Sequence, residues 1–595
     1  MHPTNKYKKR IEKYETLLKK LNQNISLLSR LRLLTIIALI ATAAITTEYK
    51  MYDIAWLTTA GFILVFAFFV FRHKKLRDSH KYLTNLNEIS KQSIMRINGE
   101  WTSFKNNGEG YLNEEHNYSY DLDLFGVGSL FQLINTANTY IGKAKLASML
   151  TKYNFNKETI IKKQQAIKEL ASKKWWRQRL QVEGKMFTEE NVDTDYLTNW
   201  ANSKQSLYTK PSVIITLKTL PIVTAVTLVL AYFSICPSFI PAILVSLQFV
   251  LLIVSITKRN KEFTLIYKYQ KSIKAYRHIL TQIDKCKFKS SYLKELKAKL
   301  SNNKNISAPN QLKKLERLVT RIGNRNNQAF FPINGLTLWD YQCLIQLEKF
   351  KSESGSMLKD WLVTIGEIEA LCSFANIAYE FPQWQFPEIT DQDSVIEAKN
   401  IAHPLLTNKQ VANDITMQSP NAILLITGSN MSGKSTFLRT IGINLVLAYA
   451  GAPVCASYLK CSVFNINTCM RISDNLNKGL SSFYAELLRI KEIVEETKKD
   501  KQVFFLLDEI FKGTNSYDRH IGAKRLIKKL KESGAVGLVS THDLELGDLQ
   551  ENQVIKNYHF QEYYENDEIK FDYKLKNGIS KTRNALQLMK IIGID

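Results

Sequence analysis

The sequence predicts an α/β phosphate-binding domain at its C-terminal end, preceded by an all-α region that two apolar helical hairpins interrupt. Three observations predict this. The strand-like run Ala422 to Ile426 leads into Gly428-Ser429-Asn430-Met431-Ser432-Gly433-Lys434-Ser435-Thr436. A second apolar run, Val503 to Leu507, ends on Asp508-Glu509. Two stretches, 33–71 and 211–257, are dominated by apolar residues and carry little charge.

The first motif has the spacing of a phosphate-binding loop, with glycines flanking four residues and Lys-Ser following. Glycine lets the backbone close around phosphates without an obstructing Cβ, and the loop N–H groups and the next helix N-terminus then face the anion. In that arrangement Lys434 reaches the β- and γ-phosphates and the Ser435 hydroxyl holds Mg²⁺. Phe437, Leu438, Ile441, Leu445 and Ala448 give the following segment a helical period. The run from Val503 reads as a buried parallel strand, with Asp508 at its end for the Mg²⁺ shell. Glu509 is the expected base that orients and deprotonates water. Together the two motifs predict an ATP hydrolase with ATP and Mg²⁺ as cofactors.

Thr427 to Thr436 closely resembles the phosphate loop of the MutS family of DNA-repair ATPases, asparagine-methionine pair included. Three further segments resemble that family in the same order: Arg471 to Leu476 with Ser481 to Glu486, Asp508 to Thr514, and Ser540-Thr541-His542. The resemblance implies an α/β P-loop ATPase domain of ABC type over 401–595, with His403-Pro404-Leu405 in its first strand. It further implies a head-to-tail homodimer in which Ser481 contacts the γ-phosphate in trans while Ser482 and Phe483 shape that contact. His542 is expected to sense the γ-phosphate and Tyr573 to stack on adenine. Gln410 stands where many relatives carry an aromatic residue, and Asn515 where serine is common.

From the N-terminus, residues 1–32 carry nine Lys/Arg against two Asp/Glu, with apolar residues at near-helical spacing. They read as a basic amphipathic helix for an anionic surface, or as an ordinary solvated helix. Residues 33–71 hold two uncharged runs around Glu48 to Asp53 and read as a transmembrane hairpin. A polar linker and helix follows over 72–117. Residues 118–210 contain Tyr120-Asp121-Leu122-Asp123-Leu124-Phe125-Gly126, which resembles the opening of the MutS helical core. A second hairpin is expected over 211–257, with no charge between Lys218 and Lys258. Residues 258–400 read as long lever helices, and within them 258–325 hold nineteen Lys/Arg against four Asp/Glu.

The formal charge of +26 calls for an anionic partner, either acidic lipid or DNA gripped through 258–325. Positive flanks on both hairpins predict four transmembrane helices in the cytoplasmic membrane, with both termini cytoplasmic. Seven cysteines without CxxC pairs or His neighbours argue against zinc and a disulfide framework, and suggest buried filler in a reducing compartment. The first 117 residues do not resemble the recognition and connector domains with which MutS mismatch readers begin, so mismatch reading is not expected. An ATP-driven membrane scaffold without DNA binding is the alternative.

Overall fold

The structure is a computed structural model that describes residues 3–152, 156–187, 193–203, 207–254, 256–301, 306–325, 327, 330–407, 409–419, 422–429, 431–471, 482–499, 502–551, 554–565 and 568–580. Helices α1 (Pro3–Glu48) and α2 (Tyr52–Ile97) form an antiparallel pair. No glycine interrupts α1 and no proline falls beyond its first turn, so nothing ends the helix between its basic and apolar halves. The separate surface-lying helix expected over 1–32 is therefore not what forms. It is coaxial with the first apolar run, and its Tyr7, Arg10 and Tyr14 are buried against the helical body. The expected boundary at 72 is likewise crossed by α2, which stops only at Asn98-Gly99, where Gly99 takes φ 85°. The polar halves thus make a two-helix stalk, about 38 Å long from residue 72 to Ile97 at 1.5 Å per residue.

The body begins with α3 (Leu130–Ile134), α4 (Tyr140–Thr151), α5 (Lys157–Ser172), α6 (Lys174–Phe187) and α7 (Asp195–Ala201). The second hairpin is α8 (Pro211–Tyr232) and α9 (Phe239–Ile253), and α9 meets α10 (Ile256–Lys268) at a 63° bend. Then come α11 (Gln270–Lys285), α12 (Ser291–Ala298), α13 (Ala308–Asn324), α14 (Phe330–Thr337) and the 42-residue α15 (Trp339–Glu380). Among the described residues four helices are long and apolar enough to cross a membrane: α1, α2, α8 and α15. Burial separates them, because the most apolar stretch of α15 is 89% buried against 6%, 0% and 11% for the other three. Helix α15 is a core helix. At 15 residues, α9 extends only about 22 Å, short of a hydrocarbon core of about 30 Å. Helix α14, expected among the levers, packs instead on this hairpin, with Phe331 against Phe249 at 5.8 Å.

Each end of α15 is pinned by a buried ion pair. Near its start Asp340 meets Arg259 at 2.9 Å and Arg325 at 3.4 Å, so Arg259 is committed inward rather than serving as a free flank of the hairpin. At its last residue Glu380 meets Arg96 of α2 at 2.9 Å and accepts from the Tyr7 hydroxyl at 3.2 Å. From that end α6 runs beside α2, Lys174 touching Tyr379 and Met186 lying beside Lys81. The stalk and α15 therefore run the same way from the ATPase-side end of the body.

The C-terminal region contains β1 (Glu388–Ile389), β2 (Ile396–Ile401), β3 (Asn413–Met417), β4 (Ile423–Thr427), α16 (Lys434–Tyr449), β5 (Tyr458–Cys461), β6 (Asn465–Cys469), α17 (Ser482–Lys499), β7 (Val503–Asp508), α18 (Ser516–Glu532), β8 (Val536–Thr541), β9 (Ile555–His559), β10 (Glu562–Glu565), β11 (Glu568–Phe571) and β12 (Lys576–Asn577). The main sheet has the order β12-β9-β4-β8-β7-β6 and is parallel except where β12 joins β9. Both faces of β4 are covered. Leu424 and Ile426 point into an apolar cluster that continues through α16 and α15 into the helical body, while Ile423 and Leu425 meet α18 residues such as Ile527. That two-sided burial is why β4 and β7 read as continuous apolar runs. Cys343, Cys372, Cys455, Cys461 and Cys469 are buried as expected, whereas Cys236 and Cys286 are only half-buried.

Candidate active site

The carboxyl ends of β4, β8 and β7 lie side by side, and from them come the phosphate loop, His542 and the Asp508-Glu509 pair. Gly428 has φ 148° and a Cβ there would stand 2.8 Å from the Phe560 carbonyl, so only glycine fits this turn. Gly433, at φ 104°, precedes the first turn of α16. Met431 also has positive φ and is exposed, Ser432 is buried, and Ser429 donates to Glu562 at 2.8 Å. Asn430 lies outside the described residues.

Lys434 is buried at the loop's centre and donates to the carbonyls of Gly428 and Ser429 at 3.0 and 2.9 Å. Burial lowers its pKa, and the Glu509 carboxylate 3.7 Å away opposes that shift. Ser435 and Thr436 line the same cavity, of about 420 Å³, and so does Tyr573. The Tyr573 ring approaches Gly433, where an added Cβ would come within 3.1 Å of it, and its backbone is fixed by Asn413 at 3.0 Å. Tyr573 thus stands beside the phosphate loop on the wall of the cavity.

Asp508 closes β7 and accepts from the Ser540 hydroxyl. Its carboxylate and the Ser435 hydroxyl are both hard oxygen donors, a donor set that fits Mg²⁺. Glu509 has φ 50°, a conformation that turns the chain out of the strand, and its N–H donates to the Ser540 carbonyl at 3.0 Å. Its side chain pairs with His542 Nε2 and, at 2.6 Å, with Lys512. The His542 bond is the largest cause holding this carboxylate down to about 2, against the opposing effect of burial. His542 Nδ1 meets the Gly428 carbonyl at 3.0 Å. Both partners of the imidazole are acceptors, so the bridge is complete when both ring nitrogens carry hydrogen. His542 thus ties the phosphate loop directly to Glu509. In this pairing the Glu509 carboxylate is taken up by His542 and Lys512 rather than free to accept from a water.

Other expected residues are less closely joined. Ser481 and residues 472–476 lie outside the described residues, and nothing is described of the Ser482 side chain. Phe483 packs within its own chain, at 6.5 Å from the Phe511 ring and over Gly513. Glu486 accepts from the Phe511 N–H, and burial raises its pKa. Residues 403–405 are a turn after β2 rather than part of a strand. His403 lines the cavity, and burial pushes its pKa down to about 4, so it is uncharged at neutral pH. Gln410 is turned away to the His403 carbonyl, and Val411 lines the wall instead.

Residues 120–126 are turns, not the start of a helix. Asp121 accepts from the N–H groups of Met470 and Arg471, and Asp123 holds the Arg471 guanidinium at 2.6 and 3.1 Å. Leu122 packs on Gly442 of α16, so the helical body grips both the phosphate-loop helix and the end of β6. His403, Lys512 and Ser540 lie inside segments named from the sequence, but no role at this site is assigned to them there.

Residues 424–595 match the family model of MutS domain V. The C-terminal region is MutS-like. The DNA mismatch repair protein MutS of Staphylococcus haemolyticus is 32% identical over 263 residues, covering 43% of this chain and 29% of the relative. That of Persephonella marina is 35% identical over 239 residues, covering 39% and 27% respectively. That of Aquifex pyrophilus is 32% identical over 237 residues, with the same coverage of 39% and 27%. The chain spans about three-tenths of the length of the curated relatives it matches. The MutS-like region contains every described residue of the cavity from Met431 to Tyr573, while His403, Leu406 and Val411 precede the family match.

Proposed function

We propose that this chain is a membrane-anchored, MutS-like ATPase that binds and hydrolyses ATP between two head-to-tail copies. The observation that carries the ATPase reading is the single cluster of Lys434, Glu509 and His542 on the phosphate loop, with Asp508 next in the chain. Ser435 and Asp508 would hold Mg²⁺, which would supply charge neutralisation at the phosphates. The loop amides and Lys434 bind and orient the β- and γ-phosphoryl groups. An anion in the loop competes for the donors of Lys434 and His542, which then release Glu509. Freed of the partner that lowers its pKa most, the Glu509 carboxylate can accept from a water and act as its base. Ser481 from the second copy and Tyr573 on adenine complete the site in this reading.

The test is direct. Lys434→Ala should abolish nucleotide binding, and Glu509→Gln should bind ATP, accumulate as a dimer and lose about 10²–10⁴-fold in turnover. Normal turnover in Glu509→Gln would remove the base assignment.

The membrane part of the proposal is supported by the exposed apolar faces of α1, α2 and α8, which carry residues such as Leu33, Trp56, Leu64 and Ile222. Both hairpins leave the body in the same direction, and the ATPase end lies away from them, on the cytoplasmic side in this reading. DNA is the proposed ligand of the basic helices. Lys313, Lys314, Arg317 and Arg321 are exposed along α13, whereas Arg259 and Arg277 are committed to Asp340 and Glu316. One observation favours the scaffold alternative: Lys258 and Lys261 follow α9 directly and so sit where the second hairpin would meet headgroups. Duplex DNA affinity of the detergent-solubilised chain that does not fall with salt, or is absent at low salt, would leave the scaffold reading.

A further inference from the structure

Between α1 and α2, at the end of the stalk nearest the apolar halves, the helices leave a cleft of about 710 Å³. Its walls bring together Arg32, Lys74, Arg77 and Lys81, with Asp78 the one carboxylate among its lining residues. Like charges on facing helices keep this seam from closing. Lower down the same pair closes, with Lys91 of α2 paired to Glu15 of α1 at 2.9 Å.

Two buried atoms facing this cleft have no hydrogen-bond partner, Arg32 Nε and Asn85 Nδ2. Asn85 is only 8% exposed. Both atoms are N–H donors, so what they lack is an acceptor, and leaving a buried donor unmatched is unfavourable. Cationic walls make an anionic acceptor the fitting one. The two lie at opposite ends of the cleft. Ser29, about one turn before Arg32, meets the His73 ring at 3.3 Å, and Asn85 is twelve residues further along α2 than His73, about 18 Å away. The Arg32 guanidinium also lies 5.4 Å over the Phe66 ring, inside the apolar half. The cleft therefore opens where the apolar surface begins and runs down the stalk from there.

We propose that this cleft binds the phosphate-bearing headgroup of an anionic membrane lipid. A phosphate lies among Arg32, Lys74 and Arg77, at the end of the cleft where the apolar surface begins. The proposal rests on the membrane reading of α1 and α2 given above. Free phosphate compounds share the same chemistry, so the test must separate the two sources.

Full-length protein in neutral detergent is titrated with fluorescent phosphatidylglycerol and, in parallel, with cardiolipin, phosphatidylcholine and inorganic pyrophosphate as competitors. Anionic lipids should compete and phosphatidylcholine should not. Lys74→Ala with Arg77→Ala should weaken phosphatidylglycerol binding by at least about tenfold. Lys19→Ala with Lys20→Ala, which removes the same charge from exposed stalk positions outside the cleft, should change it less than about twofold. Equal losses in both double variants would reduce the effect to diffuse attraction and overturn the site, as would unchanged affinity in all of them. Pyrophosphate displacing lipid as well as cardiolipin does would assign the cleft to a soluble anion instead. ATP hydrolysis should remain at its wild-type rate in every cleft variant, which separates lost binding from lost folding. Partition of the chain into the aqueous phase without detergent would remove the membrane reading. A chain that needs detergent yet shows no cleft-dependent lipid binding would remove this proposal alone.

Discussion

Glu380 and Glu509 each sit between a cationic side chain and a second hydrogen-bond donor, yet the two regions they organise differ in what those partners can do. Glu380 is fully buried, and its partners Arg96 and Tyr7 belong to long helices packed into the body. Glu509 is 16% exposed beside an open cavity, and its partners His542, Lys512 and Lys434 are side chains that an anion can recruit. The first arrangement fixes the stalk to the end of α15. The second holds, in the proposed mechanism, a base whose donors an incoming anion can take. Similar functional groups thus give a structural joint where nothing can substitute for a partner, and a responsive site where something can.

The largest effect that should sharpen this contrast comes from breaking the joint. Arg96→Ala leaves the Glu380 carboxylate buried without its cation, a change that costs roughly 3–5 kcal/mol. Thermal unfolding of the detergent-solubilised chain should move down by several degrees, whereas Glu509→Gln, which acts on turnover, should leave it nearly unchanged. A similar loss of stability in both variants would erase the distinction between joint and site.

A middle-sized effect is expected at Ser540, whose hydroxyl holds the Asp508 carboxylate. Removing a group that orients a metal ligand costs about 10–100-fold in metal affinity. Ser540→Ala should therefore raise the Mg²⁺ concentration needed for half-maximal ATP hydrolysis by that factor, with ATP binding in the absence of Mg²⁺ unaffected. An unchanged Mg²⁺ requirement would mean that Asp508 needs no such support.

The contrast also explains what could be read from sequence. Lys434, Asp508 and Glu509 are legible because phosphate chemistry demands particular residues at fixed spacing, and the strands beneath them are continuous apolar runs. The ends of the stalk are not legible. Nothing in residues 1–32 says that Tyr7 will meet Glu380, 373 positions away, and the helix breaks assumed at 32 and 72 have no glycine or proline to cause them. Helix α15 is apolar enough to mimic a span, and only its packing against α4 and α5 identifies it as core. His403 reaches the nucleotide cavity through a turn whose shape no local pattern announces.

The smallest effect concerns Lys174, which the joint holds beside Tyr7 and Tyr379, its Nζ 3.8 Å from the centre of the Tyr7 ring. Burial, reinforced by Arg10 and Lys6 and only partly offset by Glu380, pushes its pKa down to about 7. In the unfolded chain the same amine titrates near 10.4. Between those values the unfolded state binds a proton that the folded state does not, so folding gains stability as pH rises from about 7 toward 10. Lowering the pH below 7 protonates Lys174 in place and brings no further loss from this group. Lys174→Met removes the titration while keeping an apolar stem against the two rings. The variant should therefore show a flatter rise of stability between pH 7 and 9 than the parent chain, and an equal or higher stability at pH 7. The measurement is denaturant unfolding followed at several pH values. If parent and variant ran parallel across that range, the amine would have to be solvated at the joint, and the comparison with the open nucleotide site would lose its buried partner.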